Sequence, residues 1–344
     1  MFFHSQIRSG ARQLVLNSTP QQNLKTLAGN PAGPVDIDVI ISAGVVIGST
    51  TAGVPALDIG QFPKGSVINI DIFGSLQGKG GLGGGYYSAG QAGGDCIKAD
   101  YPDQFVRINL HPTGSMRAGG GGGGSGGWSG SGGTGGQGIY ESIAWRDGYN
   151  GYTDYDHWVV ESFGVYEIKW GNVSQVGGGT PTTNTSHGPW RRGGFRARAA
   201  DKTSWTDYYD VGYASNVISG GGAGGAARVG GAGGNGQGYN QASAAGAAGQ
   251  AAVGGAGGGI NAGAGGASGT GGAGGAGSGW GVAGAIGGSG GGGQYGASGN
   301  YTGGSAGGAG GVGAAGGAAG RYLVKGSASV TFNNLGGTVA GGLA

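Results

Sequence analysis

The side chains able to do chemistry are concentrated between residues 139 and 213, which hold five of the seven tryptophans, eight of the fifteen tyrosines and nine of the sixteen acids. Within that stretch Tyr149, Tyr152, Tyr155 and Trp158 recur at every third residue. This spacing lines one face of an extended helix with three residues per turn. Such a stripe of rings can stack on sugars or pack against a protein surface. It can equally plug the gap beneath the segment that carries it. Trp190 precedes the one basic cluster, Arg191, Arg192, Arg196 and Arg198 with Lys202. Guanidinium forks suit the phosphates or carboxylates of a polysaccharide; the same residues can also pair with Asp201 and Asp207 on a solvated loop.

Metal and enzymatic readings are weaker. Asp147, Asn150, Asp154 and Asp156 lie close enough to offer oxygens to calcium, but their spacing is not that of an EF-hand loop. His4, His111, His157 and His187 lack zinc-type spacing. Neither a metal nor a cofactor is expected. Glycoside cleavage needs two carboxylates roughly 5 to 10 Å apart. The last acid in the chain is Asp210, so a pair would have to come from the aromatic segment or before it, Glu161 with Asp154 being one example. Nothing in the pattern selects that pair, and the chain is not expected to be an enzyme. The many short glycine patterns match phosphate-loop motifs through composition alone, and none leads into a lysine-serine pair opening a helix.

Composition sets the frame. The net charge is +2 over 344 residues, too small for a dedicated nucleic-acid binder. Cys96 is the sole cysteine, which rules out an intrachain disulfide. Met1 to Arg8 lack the basic-then-apolar order of a signal peptide, and no apolar run reaches the length of a membrane span.

The elements that must position these residues are unusual. Residues 1–34 form a mixed polar arm with Pro20, Pro31 and Pro34. Alternation of Val35, Ile37, Val39 and Ile41 with Asp36 and Asp38 predicts a half-buried strand, with Val45-Val46-Ile47 as its partner or its continuation past Gly44. Ile68 to Gly78 matches Ile108 to Ala118 position by position, and Val330 to Gly342 repeats the unit: strand, Gly-Ser or Gly-Thr turn, short strand, glycine run. Residues 35–138 are therefore expected to alternate strands with glycine rods, and residues 139–213 to form a loop-rich β insert.

Residues 214–320 carry the glycine tract, in which about half of the positions from Gly220 to Gly320 are glycine and the only charge is Arg228. Burial of side chains is too small there to offset the ordering entropy of glycine. The tract is then either a flexible linker or a body held by backbone contacts. Ile218, Tyr239, Ile260, Trp280, Tyr301 and Tyr322 follow at steps of 21, 21, 20, 21 and 21. Such a period suits a stacked repeat of one rod, or one out-and-back pair, per unit. The out-and-back version gives rods of about 8 to 10 residues and puts these six residues at one height. The expected fold class is mostly β: short stacked strands, a polyglycine-II-like helical bundle and an aromatic insert, closed by strands in residues 321–344.

The Gly74-Ser75-Leu76-Gln77-Gly78 unit with its flanking glycine runs, and the terminal Val330 to Gly342 copy, resemble glycine-rich tail proteins of tailed bacteriophages, tail-fibre and tail-tip receptor-binding proteins among them. The distal tract is similar in style to glycine-rich tip adhesins whose family fold is a sandwich of polyglycine helices displaying variable loops. The resemblance covers about residues 35–138 and 214–344. It implies a virion tail protein that binds a host-cell surface receptor, whether polysaccharide, outer-membrane protein or pilus, and contacts other tail proteins. Monomer and homotrimer stay open, and residues 1–34 are an attachment-segment candidate. A structural tail-tip or baseplate component and a polysaccharide depolymerase are the alternatives. The residues implied in receptor contact are Tyr149, Tyr152, Tyr155, Trp158, Trp190, Arg191, Arg192, Arg196 and Arg198.

Overall fold

The computed structural model describes residues 11–146, 157–162, 165–170, 190–200, 205–326 and 328–344, with the backbone alone for those between 141 and 216. The chain winds as a coil of short strands on three faces, and the strands of each face pair in parallel. The first turn holds β1 (Arg12–Leu16) and β2 (Gln22–Asn23) and runs into a single helical turn, α1 (Leu24–Leu27). The second holds β3 (Asp36–Ile41), β4 (Val46–Gly48) and β5 (Leu57–Asp58). The third holds β6 (Val67–Ile72), β7 (Ser75–Gln77) and β8 (Ile97–Lys98).

The fourth turn opens with β9 (Phe105–Leu110) and β10 (Ser115–Arg117), after which the chain leaves the coil. During this excursion it forms β11 (Gly138–Arg146), β12 (His157–Ser162), β13 (Val165–Trp170), β14 (Trp190–Ala200) and β15 (Trp205–Ser219). It returns as β16 (Arg321–Val324) and closes a fifth turn with β17 (Ser329–Asn334), β18 (Thr338–Ala340) and β19 (Gly342–Leu343). The three faces are β1-β3-β6-β9-β17, β4-β7-β10-β18 and β2-β5-β8-β16-β19.

Alternation explains the coil. Ile37, Val39 and Ile41 face inward and stack on Ile68, Ile70 and Ile72, which stack on Val106, Ile108 and Leu110. Ile47, Leu76 and Met116 fill the second face, and Leu57, Ile97 and Leu323 the third. Each such side chain removed from water stabilises the coil by about 1.5–3 kcal/mol. Outward, Asn69 donates to Asp38 at 2.9 Å and Asn109 to Asp71 at 3.0 Å, joining successive turns. Val46 and Ile47 continue β3 onto the next face instead of pairing with it, because Gly44 adopts φ +82 and turns the chain.

The internal repeat is real, with one correction. Ser75, Leu76 and Gln77 align with Ser115, Met116 and Arg117 as the sequence match has it, whereas Ile70 and not Ile68 sits beside Ile108. The turn from β9 to β10 is two residues longer than that from β6 to β7. A shift of two preserves which side chains face inward.

The glycine runs leave the coil at one corner in consecutive turns: residues 78–94 as a hairpin between β7 and β8, and residues 118–320 between β10 and β16. The tract is a body and not a linker. Amides of Gly120, Gly123, Gly126, Ser129, Gly132 and Gly135 donate in turn to Gln237, Gly234, Gly231, Arg228, Gly225 and Gly222. The phase of three is that required of an extended rod with three residues per turn. Residues 119–137 form the central rod, bonded in this phase to six neighbours: 79–84, 88–94, 222–237, 263–278, 282–297 and 302–320. Backbones must touch for this. A Cβ on Gly123 would lie 1.9 Å from the Gly275 carbonyl oxygen, and one on Gly130 1.8 Å from that of Gly308.

Outside the 79–94 hairpin the rods run sixteen or more residues and not 8 to 10, since 222–237 pairs along its whole length with the central rod. One rod therefore spans one period of the bulky residues. Tyr239, whose amide donates to Gly78, and Trp280 lie at the end nearest the coil; Tyr322 is in the coil itself. Ile218, Ile260 and Tyr301 lie at the far end. The expectation of a single height is thus overturned: these residues mark rod ends, and ends alternate. Asn240 and Asn261 take φ 53 and 58 at two of the reversals, a conformation that asparagine tolerates better than most side chains.

Candidate functional site

The far end of the bundle collects three segments. The insert rises there as an antiparallel ribbon, β11 against β15, from Gly138 opposite Ser219 to Arg146 opposite Val211. Beside its base lie the reversals at Ile260 and Tyr301, which are 59% and 53% exposed. Two asparagines bind these reversals to the ribbon. Asn300 Oδ1 accepts from the Ile139 amide at 2.7 Å, and the Ile139 carbonyl accepts from Asn300 Nδ2 at 2.9 Å and Asn261 Nδ2 at 3.1 Å. The Ser219 hydroxyl donates to the Ile260 carbonyl, and the Tyr301 amide to that of Gln137 at 3.2 Å. A ribbon of bulky residues is thereby seated on a base whose orientation is fixed by backbone bonds.

The basic candidates sit on one strand of this ribbon. Trp190, Arg191, Arg192, Arg196 and Arg198 all belong to β14, which pairs antiparallel with β15. Trp190 is opposite Tyr213, Arg191 opposite Gly212, and Arg192 opposite Val211; Arg198 is opposite Asp207, the acid expected to offset it. Register shifts fall between Arg192 and Phe195 and between Phe195 and Ala197. Trp158 is on β12, opposite Lys169 on β13. Tyr149, Tyr152 and Tyr155 lie outside the described residues, as do the possible calcium ligands Asp147, Asn150, Asp154 and Asp156. Among the described residues no group of three His, Cys, Asp or Glu could hold a metal, and no helix is long and apolar enough to cross a membrane.

A family model for the phage tail fibre adhesin Gp38 matches residues 4–252. The chain belongs to the Gp38 tail fibre adhesin family. It is a bacteriophage tail fibre protein with a receptor-binding role, carried on the virion tail. Among solved structures, this adhesin is similar to the gp37-gp38 adhesin tip complex of the bacteriophage S16 long tail fiber, at 16% identity and a TM-score of 0.37, over 97% of this chain and 82% of that one. No curated protein sequence matches the chain.

Side chains inside the glycine run of the central rod escape a reading that treats the run as uniform. Ser125, Trp128, Ser131, Thr134 and Gln137 recur at every third position, and the last four are exposed. The signal was there in the phase. From Trp128 on, the rod face that carries these side chains is one with no described rod against it.

Proposed function

We propose that this adhesin meets its host-cell receptor with the far end of the bundle, through the insert, and is joined to the rest of the tail by its strand-built coil. The residues assigned to receptor contact are Tyr149, Tyr152, Tyr155 and Trp158 with Trp190, Arg191, Arg192, Arg196 and Arg198. The observation that carries this reading is the separation of the two. The insert leaves the bundle at residues 138 and 219, at the opposite end of the rods from the coil. Rods of sixteen residues at about 3.1 Å per residue hold the two ends about 50 Å apart. Planar rings and guanidinium forks can distinguish receptors, whereas rod flanks, apart from the exposed rings of Trp128 and Tyr295, expose mainly backbone, methyl and hydroxyl groups.

The last turn of the coil is the surface we assign to another tail protein. Its inward residues Val330, Phe332 and Val339 are only half-buried and Leu343 is 51% exposed, although the residues stacked directly above them are buried. The first turn is better closed: Arg12 Nη1 donates to the Ala28 carbonyl at 2.7 Å, and Leu24 is fully buried. An open end whose strand edges no described strand covers invites a further layer. The reading of residues 1–34 as the attachment segment is the competing assignment.

The test is competition for adsorption. Purified wild-type protein should block phage adsorption to host cells, and protein with Arg191, Arg192, Arg196 and Arg198 changed to serine should lose at least tenfold in potency with unchanged melting. Equal potency would remove the basic strand from the receptor site.

A further inference from the structure

We propose that the flank of the bundle just above the hairpin turn is a carbohydrate-binding groove, a second receptor contact separate from the insert. The proposal rests on the adsorption role given above. The packing around the central rod has a gap. Two of the six neighbours of the central rod are the arms of the hairpin, 79–84 and 88–94. The hairpin reverses at residues 85–88, level with Ser125, whose amide donates to the Ser88 carbonyl. Beyond that level the central rod runs on to Gln137, and no described rod occupies those two positions.

The sequence of the central rod follows the gap. Where the hairpin is present, Gly119 and Gly122 face it, and a Cβ there would come within 1.9 and 2.0 Å of the Lys79 and Leu82 carbonyl oxygens. Where it is absent, the same phase carries Trp128, Ser131, Thr134 and Gln137. Their Cβ atoms project into the space a further rod would need, so a glycine rod from a second copy or another protein does not fit.

The walls nevertheless keep polar groups ready. Below, Gly81 and Gly84 donate to the Gly120 and Gly123 carbonyls and accept from the Gly236 and Gly233 amides. In the same phase beyond the hairpin, the Gly132 and Gly135 carbonyls and the Gly224 and Ala227 amides bond to no described residue. They recur about every 9 Å, three residues at the rise of such a rod. Trp128, 50% exposed, closes the lower end, its indole lying where a Cβ on Gly311 would go. The Thr134 and Ser305 hydroxyls, 2.9 Å apart, add a polar edge.

A ligand for this groove must both donate and accept along its length, offer an apolar face to an indole, and leave room for a row of short side chains. Sugar rings do this. Their hydroxyls act as donor or acceptor as needed, and their C–H faces stack on tryptophan.

The probe is proteinase-treated lipopolysaccharide from a strain whose cells bind the wild-type full-length protein. Wild type should bind it. Trp128→Ala should weaken binding at least tenfold, Trp128→Tyr should stay within threefold, and melting should be unchanged. Ser131→Trp, which fills the groove from an exposed position, should match the loss and covers the case in which Trp128→Ala misfolds. Wild-type-like binding by Ser131→Trp or by a folded Trp128→Ala overturns the groove. Binding of wild type to cells but not to lipopolysaccharide also overturns it and leaves the adsorption role standing; failure to bind cells at all removes both.

Discussion

Arg321 and Asp95 lie 226 residues apart in sequence and close the same corner of the coil. The Arg321 amide donates to Asp95 Oδ1 at 2.7 Å, and its Nη2 donates to Oδ2 at 2.9 Å. Asp95 ends the hairpin excursion and Arg321 ends the bundle, so one carboxylate receives both glycine excursions as they rejoin the strands. The pairing with Asp95 raises the already high pKa of Arg321. It also explains how so large an insertion is accommodated: entry and exit are adjacent, and the third-face strands β8 and β16 resume in register, Ile97 beside Leu323.

Loss of that clamp should be measurable and small. The Arg321 side chain is about half exposed, so solvent screens the ion pair. Asp95→Ala should lower stability by about 1 kcal/mol in denaturant titration, including the lost bond to the backbone amide. Repeating the titration in 1 M salt should shrink the difference. A loss above about 3 kcal/mol would mean that the corner is held by Asp95 in some way beyond these bonds.

Neighbouring glycines on one rod should behave oppositely. A Cβ on Gly255 would lie 2.3 Å from the Gly265 carbonyl oxygen, whereas one on Gly254 meets nothing within 4 Å. Gly255→Val should cost more than about 3 kcal/mol or abolish folding, because the side chain prevents backbone approach. Gly254→Ala should be neutral or stabilising by about 0.4–1 kcal/mol through the unfolded chain. Equal, small effects at both positions in thermal melts would contradict the close-packed lattice.

Much of this was legible from the residues. Alternation at Ile37, Val39 and Ile41 located a strand, the Gly-Ser turns at 74–75 and 114–115 located the corner of the coil, and Arg321 to Phe332 read as strands that return after the tract. The rods were legible as rods, but not their length. A period of 20 or 21 suits one long rod or two short ones equally well, because bulky residues mark reversals without saying at which end. Only the bond from Gly120 to Gln237 and its successors decides it. The groove escaped for a related reason. That Trp128 is exposed depends on where a hairpin forty residues earlier stops, and no local pattern states that.

Site-specific blocking separates a receptor site at the far end of the rods from one on the coil. The native thiol of Cys96 is fully buried, and burial pushes its pKa up, so it should resist labelling at neutral pH. A single exposed cysteine can then be placed at either end of the molecule. Gly257 at the far end and Gly33 in the coil both have open space where a Cβ would go. A bulky thiol-reactive polymer on Gly257→Cys should abolish binding of the purified protein to host cells, while the same polymer on Gly33→Cys should leave binding within about twofold. Retained binding with the far end blocked, or loss confined to the coil adduct, would contradict a receptor site at the far end of the rods.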